Sequence, residues 1–257
     1  MSENRIPVLE VTDLGIDFGG LTAVNDFSLS VSSEEIVGLI GPNGAGKTTV
    51  FNMLTKVYQP SRGTIKFCGQ DTSKLTVVDM NRAGIARTFQ NIRLFSNLSV
   101  IDNVKIGMHN QISYNNLEAV FRLPKFREQE KKVTQESLEL LKIFGLENDA
   151  FLSAGNLPYG AQRRLEIARA MATKPKLLLL DEPAAGMNPQ ETADLMDMIR
   201  FVRDHFHIAI LLIEHDMKLV MGICERITVL NYGMMLAEGT PAEIQANPQV
   251  IKAYLGE

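Results

Sequence analysis

Apolar and polar positions change period several times along the chain, and those changes outline its elements. Residues 8–31 alternate in strand fashion, with turn signals at Gly19-Gly20 and Asn25-Asp26. "EEIVGLI" (Glu34–Ile40) reads as a buried strand. Beyond it, Val50, Met53, Leu54 and Val57 fall at i, i+3, i+4 and i+7, which predicts a helix. "TIKFCG" and "GIARTFQ" (Gly84–Gln90) read as strands, the second ending at Gln90. From Ile92 to about Ala154 the pattern turns helical and more polar, as in "KFREQEKKVTQESLELLKIFG". Two short apolar runs follow, "LLLL" (Leu177–Leu180) and "IAILLI" (Ile208–Ile213). Both suit buried strands of a parallel sheet, and both are far shorter than the roughly 20 residues of a membrane-spanning helix. The pattern predicts an α/β core interrupted by a helical insertion.

Composition narrows the class. A chain of 257 residues with 45% hydrophobic content can bury the core of one or two domains. The net charge of -4 argues against nucleic acid as the main partner. Cys68 and Cys224 lie far apart and form no CxxC pair, so two buried thiols in a reducing compartment are expected. "MSENRIPVLE" has no apolar stretch of the kind a signal peptide needs. The charge run Arg127–Lys132 reads as a solvated helix face.

"GPNGAGKTT" (Gly41, Pro42, Asn43, Gly44, Ala45, Gly46, Lys47, Thr48, Thr49) matches G-x-x-x-x-G-K-[ST] between a predicted strand and a predicted helix. Its glycines let backbone N–H groups wrap a phosphate, and the helix turns its positive end to the same anion. Lys47 is expected on the β- and γ-phosphates and the Thr48 hydroxyl on Mg²⁺. Asp181 and Glu182 end a buried strand, the edge where ligands of open α/β sheets sit. Asp181 fits a Mg²⁺-holding role, and Glu182 an acid that orients an attacking water. Gln90, at a strand end, suits a carbonyl on Mg²⁺ or on that water; a surface glutamine is the ordinary alternative. His215 follows a strand directly and suits a hydrogen bond to the γ-phosphate or to the attacking water; a structural histidine is the ordinary alternative. Phe18 suits stacking on adenine, with a core aromatic as the alternative.

These motifs, with "LPYGAQRR" (Leu157–Arg164), "LLLLDEP" and "EHD", stand in the order and spacing of the ATP-binding cassette of ABC transporters. The chain resembles that family over nearly its whole length. Within it, "RTFQNIRLFSNLSVIDNV", "YNNLEAVFRLPKFREQE" and "EGTPAEIQANPQVIKAYLGE" are similar to the ATPases of branched-chain amino acid importers. The resemblance implies an α/β P-loop NTPase core with an N-terminal antiparallel β subdomain and a helical insertion subdomain. The boundaries it suggests are 1–91 with 155–240 for the core, 92–154 for the insertion and 241–257 for a C-terminal helical tail. It implies an ATP hydrolase using ATP and Mg²⁺, peripheral on the cytoplasmic face of the inner membrane. The implied partners are a second ATPase subunit in a heterodimer, two permeases and, indirectly, a periplasmic solute-binding protein, with no nucleic acid. Two alternatives stay open: the ATPase of a lipopolysaccharide exporter, and a soluble ABC ATPase acting on nucleic acid or ribosomes.

By the same resemblance, Leu157, Pro158, Tyr159, Gly160, Ala161 and Gln162 form a signature that acts in trans. Such a signature covers the γ-phosphate on the other subunit's phosphate loop. The family pattern is L-S-G-G-Q; here Pro158 replaces the serine, Tyr159 the first glycine, and the glutamine comes one place later. Arg163 and Arg164 are expected as surface or interface charges. Asn188 stands where many members have aspartate.

Overall fold

The computed structural model describes residues 7–255. In chain order the first elements are β1 (Pro7–Phe18), β2 (Leu21–Ser32), β3 (Ile36–Ile40), α1 (Lys47–Leu54), β4 (Arg62–Phe67), β5 (Gln70–Asp71), α2 (Val77–Ala83) and β6 (Ile85–Arg87). The helical stretch holds α3 (Val100–Gly107), α4 (Asn116–Val120), α5 (Pro124–Ile143) and α6 (Tyr159–Met171). Then come β7 (Leu177–Asp181), α7 (Pro189–Phe206), β8 (Ala209–Ile213), α8 (Met217–Ile223), β9 (Arg226–Asn231), β10 (Met234–Gly239), α9 (Pro241–Ala246) and α10 (Pro248–Leu255). The chain divides into two compact units, residues 1–90 with 176–257, and residues 91–175. The second unit includes α6, which packs on α3. The C-terminal helices α9 and α10 fall in the first unit.

In the first unit, β2-β1-β4-β5 form an antiparallel sheet and β10-β9-β3-β8-β7-β6 a six-stranded one. Strands β9, β3, β8, β7 and β6 run parallel, and β10 is antiparallel to β9. The three central strands β3, β7 and β8 are buried at every position. Their unbroken apolar runs therefore match a parallel sheet covered on both faces. Gly19-Gly20 makes the β1–β2 turn, but Asn25-Asp26 does not turn the chain. Asp26 sits at φ 49, and β2 spends three residues from Val24 to Phe27 where β1 spends two from Ile16 to Leu14: a bulge. Helix α1 stops at Leu54, where the Thr55 hydroxyl donates to the Phe51 carbonyl (2.8 Å) and Lys56 turns to φ 62. Val57 consequently lies outside the helix and exposed. Cys224 is buried, and burial pushes its thiol up to about 12, whereas Cys68 is exposed.

Strand β6 is shorter than the sequence pattern suggests. It has β7 for its neighbour, with Arg87 opposite Leu179 and the Thr88 N–H on the Leu179 carbonyl (2.9 Å). A ladder reaching Gln90 would need Glu182 as its partner, and Glu182 has already left the strand at φ 46. Gln90 therefore stands in a loop, three residues past the strand.

In the second unit, α5 buries Val133, Ser137, Leu140 and Leu141, one helical face. Close packing of α3 on α6 depends on Gly107, where a Cβ would lie 2.4 Å from the Arg169 carbonyl oxygen. Arg164 is exposed as expected, but Arg163 is wholly buried. Its guanidinium meets the Glu166 carboxylate at 2.6 Å, one helical turn on, so each charge compensates the other's loss of water.

Candidate functional site

Between β3 and α1 the chain makes a tight loop over the end of the parallel sheet. Gly41, Gly44 and Gly46 all have positive φ (153, 79 and 105). At Gly41 a Cβ would sit 2.0 Å from the Leu230 carbonyl oxygen on β9, so the loop tolerates no side chain there. The loop passes straight into α1, whose first N–H groups have no partner within the helix and point at the loop's hollow. The hollow is a cavity of about 530 Å³ lined by residues 43–49 together with Leu21, Thr22, Ala23, Glu182, His215, Tyr232 and Gly233. That volume lies in the range of ligand pockets.

Lys47 is the first residue of α1 and its side chain is buried. The ammonium donates to the carbonyls of Gly41 (2.7 Å) and Pro42 (2.9 Å). Burial lowers its pKa, opposed by the nearby charges of Glu182 and Asp181. A cation held in a cramped site among backbone amides is a ready partner for phosphate. Thr48 is exposed on the first turn of α1.

Glu182 and His215 leave the ends of adjacent strands, β7 and β8, in which Asp181 is paired with Ile213. Their side chains meet, His215 Nε2 lying 2.9 Å from Glu182 Oε1. The other oxygen of Glu182 accepts a hydrogen bond from the Gln90 amide (2.5 Å). The structure therefore brings Gln90, Glu182 and His215 into one cluster, two of whose members line the cavity. Asp181 sits one residue deeper and buried, and its Oδ2 accepts from Arg87 at 2.7 Å.

Arg87 was not anticipated from the sequence. Its second nitrogen donates to Asn52 on α1 (2.7 Å), and its guanidinium carbon lies over the rings of Phe51 (5.5 Å to the centroid) and Phe89 (5.2 Å). A charged residue inside an otherwise apolar strand pattern was the available signal, since buried charge needs a counter-charge. Glu214, buried directly after β8, was missed in the same way.

Phe18 ends β1 half-exposed, with its ring edge-on to Tyr58 (5.2 Å between centroids). It is not among the cavity's lining residues; the aromatic ring that lines it is Tyr232. In the second unit, Pro158 is the N-cap of α6, with no side-chain capping bond. Leu157 and Ala161 are buried, Tyr159 is exposed, and Gly160 is half-buried. The Gln162 side chain turns back to donate to the Leu157 carbonyl (2.8 Å). Asn188 caps α7, its Oδ1 accepting from the N–H groups of Gln190 and Glu191 at 3.0 Å each.

Thr48, Asp181 and Gln90 would offer a metal ion a hydroxyl, a carboxylate and an amide carbonyl. These are hard oxygen donors of the kind Mg²⁺ prefers beside a nucleotide's phosphates. Of the two ends of the Gln90 amide, the carbonyl oxygen is the one a cation would take. The residues fit Mg²⁺.

A family model described as "ABC transporter" matches residues 24–185, and one described as "Branched-chain amino acid ATP-binding cassette transporter" matches residues 235–257. The chain is 49% identical to the high-affinity branched-chain amino acid transport ATP-binding protein BraF of Pseudomonas aeruginosa, over 98% of both chains. It is 50% identical to LivG, the protein of the same description from Escherichia coli, again over 98% of both. Identity is 36%, over 97% of both chains, to the lipopolysaccharide export system ATP-binding protein LptB of Escherichia coli. Among solved structures, a nucleotide-free ATP-binding cassette from an ABC transporter is similar with a TM-score of 0.84 and 27% identity. That likeness covers 98% of this chain and 100% of the other.

Proposed function

The chain belongs to the ATP-binding cassette family of ABC transporters, and from that premise we propose that it is the ATP-hydrolysing subunit of an importer for branched-chain amino acids. The observation that carries the hydrolytic reading is the meeting of Glu182 and His215 on the wall of the phosphate-loop cavity. For the solute, similarity to BraF and LivG and the match over residues 235–257 favour amino acid import over lipopolysaccharide export.

In this reading the loop amides and Lys47 hold the β- and γ-phosphates, and Phe18 turns from Tyr58 to stack on adenine. Mg²⁺, when bound, would neutralise phosphate charge and fix the phosphate oxygens; Thr48, Asp181 and Gln90 are the residues to hold it. Glu182 accepts the proton of a water whose oxygen attacks the γ-phosphorus. The bond to the bridging oxygen breaks, and ADP and phosphate leave. Gln90 and His215 fix the Glu182 carboxylate between them, and His215 reaches the γ-phosphate. The signature from Leu157 to Gln162 serves the site of a second ATPase subunit, in a heterodimer. Two permeases and a periplasmic solute-binding protein complete the assembly, on the cytoplasmic face of the inner membrane.

Glu182→Gln tests the chemistry. The variant should bind ATP normally and lose about 10²- to 10⁴-fold in hydrolysis, accumulating as a closed dimer with the partner ATPase on size exclusion. Normal hydrolysis would reduce Glu182 to a turn residue. Co-purification with the permeases, read by mass spectrometry, tests the assembly.

A further inference from the structure

Glu214 is buried at 3% exposure directly after β8, next to His215. Both oxygens of its carboxylate are used by backbone. One accepts the N–H of Ala184 at 2.7 Å; the other accepts the N–H of His215 at 2.8 Å and of Asp216 at 3.1 Å. Ala184 lies two residues beyond Glu182, on the chain leaving β7. The carboxylate therefore ties together two departing loops, one carrying Glu182 and the other carrying His215. The strand pair ends just before this point, with the Glu182 N–H on the Ile213 carbonyl (2.9 Å). Past it, the ladder no longer fixes the spacing of the two chains, and Glu214 takes over.

We propose that Glu214 is a positioning residue that sets the 2.9 Å approach of His215 to Glu182. The inference rests on the hydrolytic reading above. The chemistry of the position is specific. An ionised carboxylate accepts only, so it can serve three amide donors at once. An apolar side chain continuing the "AILLI" pattern would leave those three N–H groups without that acceptor. A glutamine keeps the size and one acceptor but turns an NH₂ group against the N–H groups on its other side. Asp216 has a separate task, since its Oδ1 accepts from Lys218 (2.9 Å) and Leu219 (3.2 Å) to cap α8. The bond to Ala184 across the two loops is what a local helix cap has no use for.

The test compares Glu214→Gln with wild type in steady-state ATPase assays on the assembled complex. The turnover number should fall about ten-fold, the scale of one lost charge-assisted hydrogen bond. KM, and the affinity for a fluorescent ATP analogue, should stay within about two-fold, because the phosphate loop is untouched. The decisive comparison is in a His215→Ala background. There, Glu214→Gln should cost less than about two-fold more, because residues acting as one unit are not additive. An unchanged turnover number, or a full ten-fold further loss in that background, overturns the proposal. If Glu214→Gln does not fold, Glu214→Asp, which keeps the charge and shortens the reach, carries the same two comparisons. Glu182→Gln run alongside separates the two readings. An active Glu182→Gln enzyme removes the hydrolytic reading itself; an inactive one beside a normal Glu214→Gln removes only this inference.

Discussion

Replacing Lys47 by methionine separates what the fold needs from what the nucleotide needs. Lys47 is 6% exposed, and its ammonium is held by the Gly41 and Pro42 carbonyls at 2.7 and 2.9 Å. Burial penalises its charge, as the lowered pKa records. Methionine fills similar space with no charge to desolvate, so the nucleotide-free melting temperature should stay level or rise. Binding ATP is a different matter. One charge at about 4 Å from a phosphate gains about 4 kcal/mol at an effective dielectric of about 20. Leaving the two carbonyls takes back about 1–2 kcal/mol. The net of about 2–3 kcal/mol corresponds to about a 30- to 140-fold rise in Kd for Lys47→Met. Isothermal titration with ATP and differential scanning calorimetry read the two halves. The pH dependence follows from the same shift. A base with a lowered folded pKa binds fewer protons folded than unfolded, between that value and the ordinary one of about 10.4. Across that window the burial penalty on wild type fades as pH rises, so any stability advantage of Lys47→Met should shrink. ATP affinity of wild type should fall in the same window, and that of the variant should not. A Kd within about three-fold of wild type, or a collapse in the melting temperature, would refute the reasoning.

Arg87→Met leaves Asp181 a buried charge without its partner, so stability should fall by about 3–5 kcal/mol, while the double variant with Asp181→Leu should recover most of it; urea unfolding measures both. Phe18→Ala should weaken ATP binding by about 1 kcal/mol, or about five-fold, if the ring stacks on adenine, and titration with ATP against inorganic triphosphate shows whether the loss is confined to the base. Pro158→Ser should change the ATPase rate of the assembled complex by less than about two-fold, and a ten-fold gain would show that this signature limits turnover.

The phosphate loop was legible because its chemistry is local: nine adjacent residues, preceded by one apolar strand and followed by one helical stripe. Asp181 and Glu182 were legible for the same reason, as acids ending a run of four leucines. What the sequence hid depends on pairs distant along the chain. Arg87 and Asp181 are 94 residues apart, and Ala184 and Glu214 are 30 apart. No periodicity announces which strands are neighbours, so no periodicity announces these partners. Arg163 misled in the opposite way. Its charge suggested solvent, but Glu166 one turn later makes burial tolerable, on a helix where Leu165, Ile167 and Ala168 are buried as well. The Asn25-Asp26 pair has turn chemistry, yet β1 continues opposite it, so the same residues make a bulge instead.

The charges around the cavity supply the physical reason for proposing a second ATPase subunit. A triphosphate brings about four negative charges, and among the residues that line the cavity Lys47 is the cation that meets them. Glu182, on the same wall, adds a carboxylate rather than removing one. A bound Mg²⁺ would offset two charges, and the N-terminus of α1 contributes about half of one. The remainder calls for donors from outside this wall, and those must withdraw for ADP and phosphate to leave. The start of α6 suits that duty toward another subunit's nucleotide. Its N-cap makes no side-chain capping bond. Pro158 itself brings no N–H, and Gln162 has spent its amide on Leu157. The contact from this helix would then be made by backbone N–H groups of its first turn, which a Pro158→Ser exchange leaves in place. A small effect of that exchange and a trans role for α6 are therefore compatible, because amides and a helix dipole would meet the anion rather than the side chain the family pattern puts at that position.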